Sequence, residues 1–139
     1  MGREDVSARC NAIEEFYEFM LAYAGQGLSG KENSQSTSQA RDFLNRAVEA
    51  ITGLAEALAG TVKQENLQPA EIYFAYQSVL EKDARDSLAT IQLVLAQPTI
   101  SSQLIDNLNA SIHLRALLTD LFLIDEISKP QQIAAKPPQ

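Results

Sequence analysis

The chain is short of the residues that most often carry chemistry. Its 139 residues hold one cysteine, one histidine and no tryptophan. With Cys10 alone, no intrachain disulfide can form and no cysteine-rich metal site can be built. Such sparing use of cysteine suits a reducing compartment, and a cytoplasmic location is expected. His113 alone cannot supply a ferritin-type di-iron centre, which takes Glu-x-x-His from two helices. The position three before it, where the glutamate would stand, is Ala110. No metal and no cofactor are therefore expected. Six glycines and five prolines are too few for the tight turns of an all-β chain, and no segment alternates apolar with polar residues over a useful length.

Long apolar runs are missing too. None approaches the roughly 18 residues that span a bilayer. Positions 1–30 carry no basic region followed by an unbroken apolar stretch, so no secretory signal is expected. The Met1-Gly2 start lacks the Ser or Thr of a myristoylation motif, because Val6 stands in its place. Eleven lysines and arginines face 18 aspartates and glutamates, a net charge of −7, and the basic residues are scattered. An acidic chain without a basic cluster repels phosphate backbones, so neither nucleic acid nor a membrane is an expected partner.

What the chain does have is helical period. Apolar residues make up 45% and charged residues 21%, the composition of an ordinary folded domain with one core. In the first segment, about 4–24, Val6, Cys10, Ile13, Tyr17, Met20 and Ala24 share one face. Gly25, Gly27 and Gly30 stop it, and the polar stretch 25–38 is expected to be mobile. The second helix is expected over 39–59, with Leu44, Ala47, Ile51, Leu54 and Leu58 on its stripe. Gly53 would lie inside it at a cost of roughly 1 kcal/mol, which close approach of a neighbouring helix would offset. Gly60 is expected to end it.

The third helix is expected over 69–96, opened by Pro69 and ended before Pro98. Tyr73, Tyr76, Leu80, Ala84, Leu88 and Ile91 keep one face through a charged patch in which Glu81–Arg85 and Lys82–Asp86 are four-apart ion pairs. The fourth is expected over 101–127, capped by Thr99, Ser101 or Ser102 and closed by Lys129-Pro130, leaving 130–139 as a disordered tail. The fold expectation is all-α: an antiparallel four-helix bundle forming a single domain over 1–129.

Catalysis finds little support. His113 has Asp106 and Asp120 as helical neighbours, a low-ranking polar site that reads best as a boundary histidine bonded to a carboxylate or water. A haem held by Met20 and His113 is offset along the helices by on the order of 10 Å. A His113 phospho-relay is the weakest alternative, since Arg115 and the residues beyond it have the wrong spacing. Cys10 lies on an apolar stripe, where a thiol is inert packing. The carboxylates Glu14, Glu15 and Glu18, and Asp125 with Glu126, read as solvated faces. No catalytic residue is assigned.

The surplus of apolar surface is the positive signal. Segment 112–127 is apolar on two faces: Leu114, Leu117, Leu118, Leu121 and Phe122 on one, and Ile112, Ala116, Leu123 and Ile127 on the other. Phe16, Phe19 and Tyr23 add a second edge to the first helix. A helix in a small monomer needs one stripe; a second means either that the helix is central in the bundle, the readier reading for the first helix, or that it carries a partner surface. The candidate interface is therefore Phe16, Phe19, Tyr23, Ile112, Ala116, Leu123 and Ile127, buried in a homodimer. The expected function is a non-enzymatic helical interaction protein, an accessory, assembly or regulatory factor. The alternative is a small-ligand or cofactor carrier, with a pocket among Phe16, Tyr17, Met20, Tyr73, Tyr76 and His113.

Overall fold

The computed structural model describes residues 3–29 and 34–134. Among the described residues six helices follow one another: α1 (Arg3–Ala24), α2 (Ser34–Ile51), α3 (Leu54–Gln64), α4 (Ala70–Leu95), α5 (Ser102–Ala110) and α6 (Ile112–Ala134). No strand occurs among the described residues. The chain is all-helical as the periodicity requires, but the second and fourth expected helices are each broken in two.

The first break lies at Gly53, not at Gly60. Gly53 has φ 83°, a left-handed backbone that glycine adopts without steric cost. It therefore separates α2 from α3 instead of sitting inside one helix. The carbonyls left open at the end of α2 are taken by a residue far away in sequence: Arg9 of α1 donates from Nη1 to the carbonyls of Glu49, Ala50 and Thr52. A Cβ on Gly53 would stand 3.6 Å from that guanidinium. Gly60 lies within α3, which carries its apolar face on to Val62.

The second break lies at Ser111. Its backbone is extended, with φ −58° and ψ 131°. Ser111 Oγ accepts from the His113 N–H at 3.2 Å and so caps α6. Arg115 Nε donates to the Asn109 carbonyl at 2.9 Å and closes the end of α5. Arg41 does the same for α4, donating to the carbonyls of Leu95 and Gln97 at 2.9 and 2.8 Å. Several arginines in this acidic chain thus serve helix ends.

Other bounds move as well. α2 begins at Ser34, so part of the expected loop 25–38 is helix; residues 30–33 lie outside the described residues. α6 passes the expected stop at Lys129-Pro130 and reaches Ala134. A proline removes one donor and crowds the preceding turn, but does not forbid a helix from continuing beyond it. Residues 135–139 of the expected tail lie outside the described residues.

α1 packs on α2, α3 and α5, while α4 packs on α2, α3, α5 and α6. Ile13, Phe16 and Met20 of α1, Leu44 of α2, Leu80 and Ile91 of α4, and Leu114 and Leu117 of α6 are fully buried between them. Tyr23 Oη donates to the Ile100 carbonyl at 2.6 Å, and Ser102 Oγ donates to the Tyr23 carbonyl at 2.6 Å. These bonds fasten the end of α1 to the start of α5. Among the described residues no helix is long and apolar enough to cross a membrane.

Candidate functional site: an apolar groove beside a buried aspartate

The chain does not cover all its apolar surface. A groove of about 380 Å³ opens where five segments meet. Leu58 and Thr61 of α3 form its floor side, Glu65, Leu67 and Pro69 of the α3–α4 connection one end, and Val6 reaches in from α1. Ile72, Tyr73 and Tyr76 of α4 face Leu123, Ile124 and Ile127 of α6 across it. The spacings 72, 73, 76 and 123, 124, 127 each place three residues on one helical stripe. The lining is mainly apolar, with Thr61, Glu65 and the two phenols as its polar groups. Ile72, Leu123 and Ile127 remain exposed at the surface.

Tyr76 links the groove to a charged group within the protein. Its Oη donates to Asp120 Oδ1 at 2.9 Å. Asp120 is only 7% exposed, and its Oδ2 is sealed from solvent without an N–H or O–H donor. The neighbouring group is the carboxyl of Asp83, two turns beyond Tyr76 on the same face of α4. Two carboxylates cannot hydrogen-bond to each other, whereas a carboxyl and a carboxylate sharing one proton can. Burial, and then the Asp83 carboxyl, push Asp120 up to about 7, with Tyr76 pulling the other way. The Tyr76 phenol is pushed up in turn by burial and by its bond to Asp120. Neither carboxyl lines the groove; the phenol stands there in their place.

The residues singled out from sequence divide sharply. Phe16 and Tyr23 are core residues and do not reach the surface as the interface expectation required. Phe19 is half-buried, stacked on Phe43 of α2 with ring centres 4.3 Å apart. Ala116 is half-buried. Ile112, Leu123 and Ile127 are exposed, and only the last two line the groove. Asp106 is exposed on α5, and His113 is exposed with Nδ1 3.9 Å from Asp86 Oδ2 on α4. The expected trio of His113, Asp106 and Asp120 is not brought together. Of the expected pocket residues, Tyr73 and Tyr76 line the groove, while Phe16 and Met20 are core.

Cys10 is buried, and burial followed by the charges of Asp125 and Glu14 pushes its thiol up to about 11. A thiol so protonated is a poor nucleophile. Among the described residues no three histidine, cysteine or carboxylate side chains cluster as metal ligands would. Sequence reasoning missed Asp83, Ile72, Leu67 and Pro69. Tyr76 and Asp83 share a helical face, which is the one local signal that pairs them. No family model, no curated protein and no solved structure matches this chain.

Proposed function

We propose that the chain acts by binding, as a non-enzymatic helical interaction protein whose partner site is the groove between α4 and α6. The observation that carries this reading is the uncovered apolar lining: Ile72, Leu123 and Ile127 stay in contact with water and are gathered around one concave site. Exposed apolar surface gathered into a concave site marks a place for a partner. The occupant we propose is a second copy of the chain in a two-fold dimer. Phe122 stands exposed on α6 next to Leu123, a projecting ring beside a cavity on one helix. A two-fold axis lets each copy insert that ring into the other's groove. We also take the two broken segments, α2–α3 and α5–α6, as two arms of an antiparallel four-membered bundle with α1 and α4, since the breaks at Gly53 and Ser111 are short.

A small apolar ligand is the second reading. A volume of about 380 Å³ falls in the range of ligand pockets, and two phenols could orient a guest. Native mass spectrometry of the chain recovered from its own host separates the two. The dimer reading expects twice the chain mass for the wild type and a single chain for Leu123→Glu. An added mass of a few hundred daltons that disappears in Leu123→Glu supports the ligand. A bare single chain for both proteins contradicts both readings.

A further inference from the structure

We infer that the groove selects its guest by the direction of a hydrogen bond: it takes an apolar molecule ending in a donor, an ammonium group above all, and turns a carboxylate away. The inference rests on the reading of the groove as a pocket for a small molecule. Two of the groove's hydroxyls have already given their protons to the protein. Thr61 Oγ donates to the Ala57 carbonyl at 3.1 Å. Tyr76 Oη donates to Asp120 Oδ1 at 2.9 Å. A hydroxyl whose proton is engaged can only accept from a guest. Glu65 stands one helical turn beyond Thr61 on the same face and adds the acceptor oxygens and negative charge of a carboxylate. The Tyr73 phenol can give or take a bond, so it sets no direction.

The backbone at the groove's end is also short of free donors. The Leu67 N–H donates to the Val62 carbonyl at 3.0 Å, and those of Ile72 and Tyr73 donate to the Pro69 carbonyl at 3.1 and 3.4 Å. Pro69 has no N–H to offer. The start of α4 would favour an anion, but Glu71 already stands in its first turn. Among the described residues no lysine, arginine or histidine lines the groove. Lys63, between Thr61 and Glu65 in sequence, lies on the opposite side of α3. A carboxylate brought here would exchange water for oxygens that repel it, and a charge buried without donors is costly. An ammonium group offers its protons to those same oxygens. Its apolar body would cover the exposed side chains of Ile72, Leu123 and Ile127.

The test adds four ten-carbon probes singly to the full chain at pH 7.5: decylammonium, 1-decanol, 2-decanone and decanoate. Calorimetry gives each affinity, and the ¹H–¹⁵N spectrum shows where each probe sits. The amides of Leu67, Tyr73 and Ile124 should shift with a bound probe, while those of Ile91 and Val94, at the other end of α4, stay still. Decylammonium should bind roughly tenfold or more tightly than decanoate. The neutral pair sets aside the pull of an acidic chain on any cation: decanol should still bind roughly threefold or more tightly than decanone. Tyr76→Phe should bring the neutral pair together. That change also takes a donor from Asp120, so Glu65→Gln is the second variant. It should shrink the lead of decylammonium and leave that of decanol over decanone as it was. Groove binding in which decanoate equals decylammonium overturns the inference, as does a neutral pair that binds alike; either leaves the small-molecule reading standing. Groove amides that respond to none of the probes overturn both and leave the second-copy reading untouched.

Discussion

Two regions of this molecule have surplus apolar surface, and they have opposite fates. On α1, Phe16 and Tyr23 lie beside the main stripe and are swallowed: α2, α3 and α5 surround that helix, and Phe19 finds Phe43 to stack on. On α6, Leu123 and Ile127 lie beside the main stripe and meet α4 only across the groove, where they stay exposed beside Ile72 and Pro69. The residue types are similar and the helical spacing is the same. What differs is the number of neighbours the topology supplies. Apolar excess in a sequence therefore locates where covering is needed, but the fold decides whether the chain provides it.

Mutations sharpen that contrast. The largest effect is expected for Phe16→Ala, which opens a cavity in a fully buried site and should cost about 3–5 kcal/mol in denaturant unfolding. Leu123→Ala, the same kind of truncation on the other helix, should cost less than about 1 kcal/mol, because the side chain is 48% exposed already. Equal losses would erase the distinction between the two regions.

Asp120 gives the next largest effect, and its sign is the reverse of an ordinary salt-bridged carboxylate's. Asp120 binds its proton more tightly folded than unfolded. The stability it supports is fully present below about pH 4 and is lost as the pH rises through about 7. Asp120→Asn mimics the protonated group. It should match the wild type at pH 5 and exceed it at pH 8 by on the order of 1–2 kcal/mol, a figure discounted for solvent screening. Thermal melts at the two pH values measure this, and a variant less stable than the wild type at pH 8 would be the wrong result.

Smaller still is Gly53→Ala. A Cβ in a left-handed backbone should cost about 1 kcal/mol; at 3.6 Å the Arg9 guanidinium is in ordinary contact, so the cost is that of the backbone. Gly60→Ala, inside α3 with nothing near its missing Cβ, should instead stabilise by a few tenths to about 1 kcal/mol. If the two substitutions gave the same sign, the helix break would be misplaced.

The amphipathic segments were readable because each carries its own period. α1 and α4 fall close to their expected bounds for that reason. The break at Gly53 was hidden because the apolar spacing runs on through Leu54 and Leu58, and the group that satisfies the open carbonyls, Arg9, comes from another helix. Ser111 was hidden in the same way, since Leu104, Leu108 and Ile112 keep a spacing of four across it. The groove was out of reach because its lining comes from five segments and includes Leu67 and Pro69, which read as mere linker and cap. Asp120 was noticed for its helical neighbour His113, yet its partners Tyr76 and Asp83 stand across a tertiary contact that no local spacing announces.

If the groove is the proposed partner surface, concavity rather than exposure marks it. Leu93 and Leu123 are both exposed leucines, at 65% and 48%, and only Leu123 lines the groove. Placing a photo-crosslinking amino acid at each position in turn, in the chain's own host, compares them directly. Position 123 should give one discrete adduct at twice the chain mass and position 93 none. Adducts of equal yield from both positions, or from position 93 alone, would contradict a partner seated in the groove.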